Sequence, residues 1–208
     1  MRPVVSEIWD RFPATLELAI AASIIAAILG LTVGTMGVLS KRPQADVGAR
    51  LYGIISYSFF IPWLGLMLQI VLGVWLRLFP ISGRIDPTTA PTKITGLYLI
   101  DSLLTGNLQA FANASWHLFL PALTLGVVIS GIYAKLGRSS FSEVIVQDHV
   151  LAARSRGLKE GTVFRNHILR NALVPLLTMM GLQFALLLGG TVLTETAFSW
   201  PGMGYLIY

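Results

Sequence analysis

The run Leu16-Glu-Leu-Ala-Ile-Ala-Ala-Ser-Ile-Ile-Ala-Ala-Ile-Leu-Gly-Leu-Thr-Val-Gly-Thr-Met-Gly-Val-Leu39 is apolar over more length than a core helix of a small domain needs. A hydrocarbon core of about 30 Å takes roughly 20 helical residues. Three further stretches qualify: Tyr52 to Leu76, Leu118 to Leu136 and Leu173 to Thr194. In lipid every backbone polar group needs a partner within the chain, so such runs become helices, and the alternation of a barrel strand is absent. The expected fold class is all-α, a polytopic membrane helical bundle of four spans filling residues 1–208.

Composition agrees. Apolar residues make up 54% of the chain and charged ones 12%, and the charges cluster between the apolar runs instead of coating one globule. There is no cysteine, which removes disulfide frameworks and thiolate metal sites and leaves the compartment open. The net charge of +5 does not call for nucleic acid, since the basic residues sit beside the spans, where topology and anionic lipid headgroups account for them. Met1 to Pro13 has none of the layout of a signal peptide, so the first span is expected to act as its own insertion signal.

Orientation follows from the basic residues taken loop by loop. Lys41, Arg42, Arg50, Lys135, Arg138, Arg154, Arg156, Lys159, Arg165 and Arg170 fall on one side, and only Arg2, Arg11, Arg77, Arg84 and Lys93 on the other. The first set is expected in the cytoplasm, which puts both termini outside. Because Gly204 to Tyr208 reads as the approach to another helix, further spans are expected beyond the ends of this sequence.

Within the first span Ala22, Ala26, Gly30 and Gly34 recur every four residues and make a stripe of small side chains for close helix packing, although such residues are common in membrane helices anyway. Pro62 falls in the middle of the second span and is expected to kink or loosen it. With Ser56, Ser58 and Gln69 it is a candidate for the wall of a translocation path; a membrane serine satisfied by its own preceding carbonyl reads equally well. The outer loop from Arg77 to Trp116 has room for a short helix between Leu97 and Ala112, lying on the membrane or packed on the bundle.

The charges of the second half gather between Lys135 and Asn171. The segment Ser139-Ser-Phe-Ser-Glu-Val-Ile-Val-Gln-Asp-His-Val-Leu-Ala-Ala-Arg-Ser-Arg-Gly157 reads as an amphipathic helix capped by Ser139 or Ser142 and closed at Gly157 by a left-handed residue. A second short helix is expected from Lys159 to Leu169. Together they make a knob with Ala152 and Ala153 at its tip. By residue chemistry alone it enters a cleft on another protein or rests on lipid headgroups.

Ala152-Ala-Arg-Ser-Arg-Gly157 followed by Arg165-Asn-His-Ile-Leu-Arg-Asn-Ala-Leu-Val-Pro175 resembles the EAA signature of binding-protein-dependent ABC transporter permeases, in particular the first permease of the dipeptide, oligopeptide and nickel branch. Pro13-Ala-Thr-Leu-Glu-Leu-Ala19, Leu120-Pro-Ala-Leu-Thr-Leu125 and Gly189-Gly-Thr-Val-Leu-Thr-Glu-Thr-Ala-Phe-Ser-Trp-Pro-Gly-Met-Gly204 are similar to that branch in the same order. Leu151 stands where the signature has its Glu, and Arg170 where it has its closing Pro, as in the peptide branch.

The resemblance implies the type I importer transmembrane fold, lacking its first and last helices. It implies that residues 139–171 are the cytoplasmic coupling segment docking on a nucleotide-binding subunit. Asp148, Ala152, Ala153, Arg154, Arg156, Gly157, Leu158 and Lys159 would make that contact. ATP and magnesium would sit on the partner ATPase. The other implied partners are a second homologous permease, an extracytoplasmic substrate-binding protein and the lipid of a prokaryotic cell membrane; short peptides are the expected cargo, with nickel or oligosaccharide next.

No Gly-x-x-x-x-Gly-Lys-Ser/Thr phosphate loop occurs, so the chain is expected to be a pore subunit and not an enzyme. His117, His149 and His167 lack the spacing of metal ligands. Glu195, the acid bordering the last span, either hydrogen-bonds the turn from Ser199 to Gly202 or meets substrate. The rival reading is a secondary transporter or channel without a motor, which would need ionisable groups at midplane breaks.

Overall fold

A computed structural model describes residues 4–40 and 42–206. Arg2 and Lys41 of the charge count, and Ile207 and Tyr208 at the end, lie outside the described residues. Among the described residues all regular structure is helical.

Helix α1 (Val4–Leu39) begins well before the predicted span, carrying Pro13 inside it. After Ser40 the chain enters α2 (Pro43–Ser58), with proline at the first position, where its missing N–H costs nothing. The expected span from Tyr52 to Leu76 is not one helix. It breaks at Phe59 and Phe60, and α3 (Ile61–Leu68) starts afresh with Pro62 in its first turn before passing into a π-helical stretch, Gln69–Trp75. A proline at 62 in a continuous helix would strike the carbonyl of Ser58, four residues back, and that is where α2 stops. So Pro62 initiates a helix and does not bend one.

Helix α4 (Tyr98–Leu104) is shorter than the outer helix expected, and α5 (Leu108–Ile145) is about twice the predicted third span. Ser139 and Ser142 therefore cap nothing. They lie inside α5, whose buried face continues through Phe141 and Val144. Only Asp148–Ser155 forms the separate short helix, α6. The stretch expected as a second short helix, Lys159 to Leu169, is instead α7 (Glu160–Val163) and a π-helical turn, Phe164–Leu169, that run on into α8 (Arg170–Gly190). The chain ends in α9 (Val192–Ala197) and a 3-10 turn, Gly204–Leu206. Ser6–Leu39, Leu108–Ile145 and Glu160–Gly189 are long and apolar enough to cross a membrane, and the broken pair Pro43–Ser58 and Ile61–Trp75 makes a fourth if it counts as one span.

The chain forms two compact units. Unit 1 comprises Met1–Ile25, Phe59–Gly126 and Phe184–Tyr208. Leu18 and Ala22 of α1, Leu118 and Leu125 of α5, and Phe198 and Trp200 after α9 are buried in it. Gly65 lets α3 approach Phe198 and Thr124.

Unit 2 comprises Ala26–Ser58 and Val127–Gln183. Here the small stripe does what the sequence predicts: Gly30 and Gly34 lie against Tyr133 and Ala134 of α5, and a Cβ on either would collide with the α5 backbone. Gly53 and Gly131 bring α2 and α5 together in the same way, a Cβ on Gly131 falling 2.8 Å from the Gly53 carbonyl oxygen. Since lipid is as apolar as leucine, this close packing is what associates the helices.

Candidate functional site

The candidate site is built on α6 in unit 2. Gln147 precedes it in extended conformation (φ −72°, ψ 147°), Asp148 sits in its first turn and Arg154 in its last, the signs that suit the helix dipole. Gly157 closes it at φ +75°, with its N–H donating to the Arg154 carbonyl at 2.9 Å. A Cβ there would meet nothing, so glycine is needed for backbone conformation and not for space.

Two side chains hold α6 to the protein. Val150 (0% exposed) and Ala153 (4%) enter a cluster with Phe141 and Val144 of α5, Val163 of α7, Ile168 of the π-helical turn and Ala172 and Leu176 of α8. Burying a side chain the size of Val150 from water contributes about 1.5–3 kcal/mol, and the single methyl of Ala153 about 0.8 kcal/mol. Polar ties supplement it. Asn171 Nδ2 lies 2.9 Å from His149 Nε2 and donates to the His167 carbonyl at 2.8 Å. Arg154 pairs with Glu160 at 3.1 Å, in an exposed geometry worth well under about 1 kcal/mol. A notch of about 420 Å³ beside the helix is lined by Glu143, Gln147, His149 and Asn171.

The remaining predicted contact residues point outward. Ala152, Arg156, Gly157, Leu158 and Lys159 are exposed, as is Asp148, and among the described residues Asp148, Arg156 and Lys159 make no ion pair. Ala153 departs from the expected tip position: the helical turn carries it inward beside Val150, leaving Ala152 as the small exposed residue.

The four candidate path residues do not share one setting. Ser56 is buried (3% exposed) where α2 meets Gly131, and Ser58 is exposed and donates to the Ile54 carbonyl at 2.7 Å. Both belong to unit 2. Pro62 and Gln69 belong to unit 1, where the Gln69 amide donates to the carbonyls of Ile81 (2.8 Å) and Ala197 (3.0 Å) and so clasps the end of α9.

Unit 1 also holds a network that sequence reading missed. Glu17, inside the first predicted span, accepts from Arg84 Nε at 3.0 Å and from the Leu99 N–H at 2.8 Å. Arg84 also donates to the Gly96 carbonyl and lies over the Tyr98 ring, 4.0 Å from its centre. An acid one residue into an apolar run needs a cation, and that was the available signal.

Glu195 is fully buried, accepting from Thr15 Oγ1 (2.7 Å), Thr191 Oγ1 (2.8 Å), the Gly204 N–H (2.7 Å) and the Tyr205 N–H (3.2 Å). Of the two expectations for Glu195, the structural one fits these bonds, but the carboxylate's donors are Thr15, Thr191, Gly204 and Tyr205 and not the turn from Ser199 to Gly202. Trp200 Nε1 donates to the Ala14 carbonyl at 2.9 Å, so the first and last motifs of the chain close on each other. Asp101 accepts from Thr95 Oγ1 (2.6 Å) and from the N–H groups of Thr95, Ile94 and Gly96. Burial pushes its carboxyl up, but those hydrogen bonds outweigh burial and hold it below the usual 3.8.

Residues 19–208 match the family described as the binding-protein-dependent transport system inner membrane component. The di/tripeptide transport system permease protein of Pseudomonas aeruginosa (strain UCBPP-PA14) is 44% identical over 198 residues, 95% of this chain and 59% of that protein. The probable D,D-dipeptide transport system permease protein of Escherichia coli (strain K12) is 42% identical over 204 residues, 98% of this chain and 60% of that protein. The chain thus spans less than two thirds of the length of these relatives. A crystal structure described as an amino acid ABC transporter with histidines superposes with a TM-score of 0.56 at 18% identity, covering 92% of this chain and 72% of that one, which establishes likeness of fold.

Proposed function

The chain belongs to the binding-protein-dependent transport system inner membrane components, and on that premise we propose that it is a permease subunit of an ATP-driven importer of short peptides in a prokaryotic inner membrane. A substrate-binding protein delivers the peptide, a second homologous permease completes the path, and separate ABC ATPase subunits bind ATP and magnesium. The relatives named for dipeptides and tripeptides support the cargo.

The observation that carries this reading is the division of labour on α6. Its inner face is fastened by Val150 and Ala153 to α5 and α8, while Ala152, Asp148, Arg156 and Lys159 are outward and uncommitted. A motor gripping α6 therefore moves the ends of two long helices with it, and that displacement is what alternating access requires. The three buried carboxylates among the described residues of unit 1, Glu17, Asp101 and Glu195, weigh against an ion-coupled transporter, because protein donors already saturate them.

Ala152→Trp tests the docking. In proteoliposomes holding the complete transporter, the substitution is expected to lower ATP-dependent dipeptide uptake at least about tenfold while leaving thermal stability within about 0.5 kcal/mol, as for other exposed positions. Undiminished uptake would show that α6 is not where the motor grips.

A further inference from the structure

Within unit 2, α2, α5 and α8 border an open cleft of about 690 Å³, in the size range of small-molecule sites. Its walls are chemically two-sided. Ile54, Tyr57 and Met179 make an apolar part, and Arg50, Lys135 and Arg138 bring cations to the lining.

The charges do not cancel. Arg50 and Arg138 share one carboxylate, Asp46, with Arg50 Nη2 at 2.8 Å and Arg138 Nη2 at 3.1 Å. Among the described residues the Lys135 ammonium has neither an ion pair nor a hydrogen bond, and the lining contains no Asp or Glu. Three cations against one carboxylate leave the site at +2.

We infer that this cleft binds the anionic headgroup of a phospholipid, with the phosphate on Lys135 and Arg50 and an acyl chain along Ile54 and Met179. The ligand must be anionic at one end and apolar at the other, and it must carry no cation that needs an acid. A zwitterionic peptide fails the last condition, because its ammonium would find no carboxylate in the lining. An anionic phospholipid meets all three. Leu51, Ile54 and Ile55 of α2 are exposed apolar side chains, Ile54 in the lining itself and the other two within three residues of it along the helix. The basic-residue bias assigns this end of the helices to the cytoplasmic leaflet, where anionic lipid meets basic pockets between spans.

The test is lipid retention by the purified transporter, taken from nanodiscs with equal phosphatidylglycerol and phosphatidylcholine and read by native mass spectrometry, with no transport step involved. Phosphatidylglycerol is expected to be retained selectively. Lys135→Gln should lower that retention about five- to tenfold, Lys135→Arg should restore it, and Lys93→Gln, a basic residue outside the cleft, should not change it. Equal retention of the two lipids, or unchanged retention in Lys135→Gln, would overturn the inference. Displacement of phosphatidylglycerol by added dialanine would overturn it too, by making the cleft a peptide site. Because binding is read directly, a transporter that carried no peptide would leave this result intact.

Discussion

The polar clasp of unit 1 and the α6 region of unit 2 use the same kinds of side chain to opposite ends. In the clasp Glu17, Asp101 and Glu195 are buried, and each accepts several hydrogen bonds from protein donors. Around α6 the charged side chains are exposed, and Asp148, Arg156 and Lys159 meet no partner ion among the described residues. A buried charge must be answered from within the chain, since its desolvation penalty is otherwise several kcal/mol. An exposed one stays hydrated and remains available to another protein. Saturation thus marks what holds this molecule together, and its absence marks what the molecule offers.

That contrast can be broken most forcefully at Arg84. Arg84→Ala leaves Glu17 buried without its cation and is expected to destabilise the protein by about 3–5 kcal/mol, read as loss of folded protein in detergent melts. Arg84→Lys should recover little, because lysine lacks the fork that reaches both Glu17 and the Gly96 carbonyl. A melt unchanged by Arg84→Ala would mean the clasp is not load-sharing.

A smaller effect separates the two alanines of α6. Ala153→Leu forces extra volume into the Val150 cluster and should cost about 1–3 kcal/mol, whereas Ala152→Leu should be silent in the same melt. Equal melts would return both residues to the exposed tip.

Asp101 sharpens the comparison at lower amplitude. Its folded carboxyl is held below 3.8, so its ionised form contributes stability above the unfolded value, and that contribution is lost as pH falls through the depressed folded value. Acid below about pH 4 should therefore loosen the loop from Ile94 to Gly96, read by amide exchange. Asp101→Asn, which presents N–H to N–H, should cost about 1–2 kcal/mol at neutral pH and flatten that acid response.

Much of this was legible in the sequence, for reasons of range. The apolar runs, the stripe of Ala22, Ala26, Gly30 and Gly34, and the turn at Gly157 depend on neighbours within one or two helical turns. The disturbance at Pro62 was legible, read as a kink or a loosening of one span, whereas one helix stops at Ser58 and another starts at Ile61. Helix lengths were read short wherever polar residues such as Ser139 and Ser142 looked like caps, since whether a serine caps or merely rides inside a helix depends on what buries the next turn.

By itself, then, the sequence determined a helical membrane protein, its family signature and the place of its exposed turn at Gly157, because composition and short-range periodicity carry those. Only the tertiary structure decided that Ala153 is core while Ala152 is surface, that Glu195 closes on Thr15 across 180 residues, and that Lys135 stands, among the described residues, without a counter-ion beside Arg50 and Arg138 in the lining of one cleft. Those are pairings between distant segments. No local pattern encodes which buried charge meets which donor, since that follows only once close-packed helices have fixed who can reach whom.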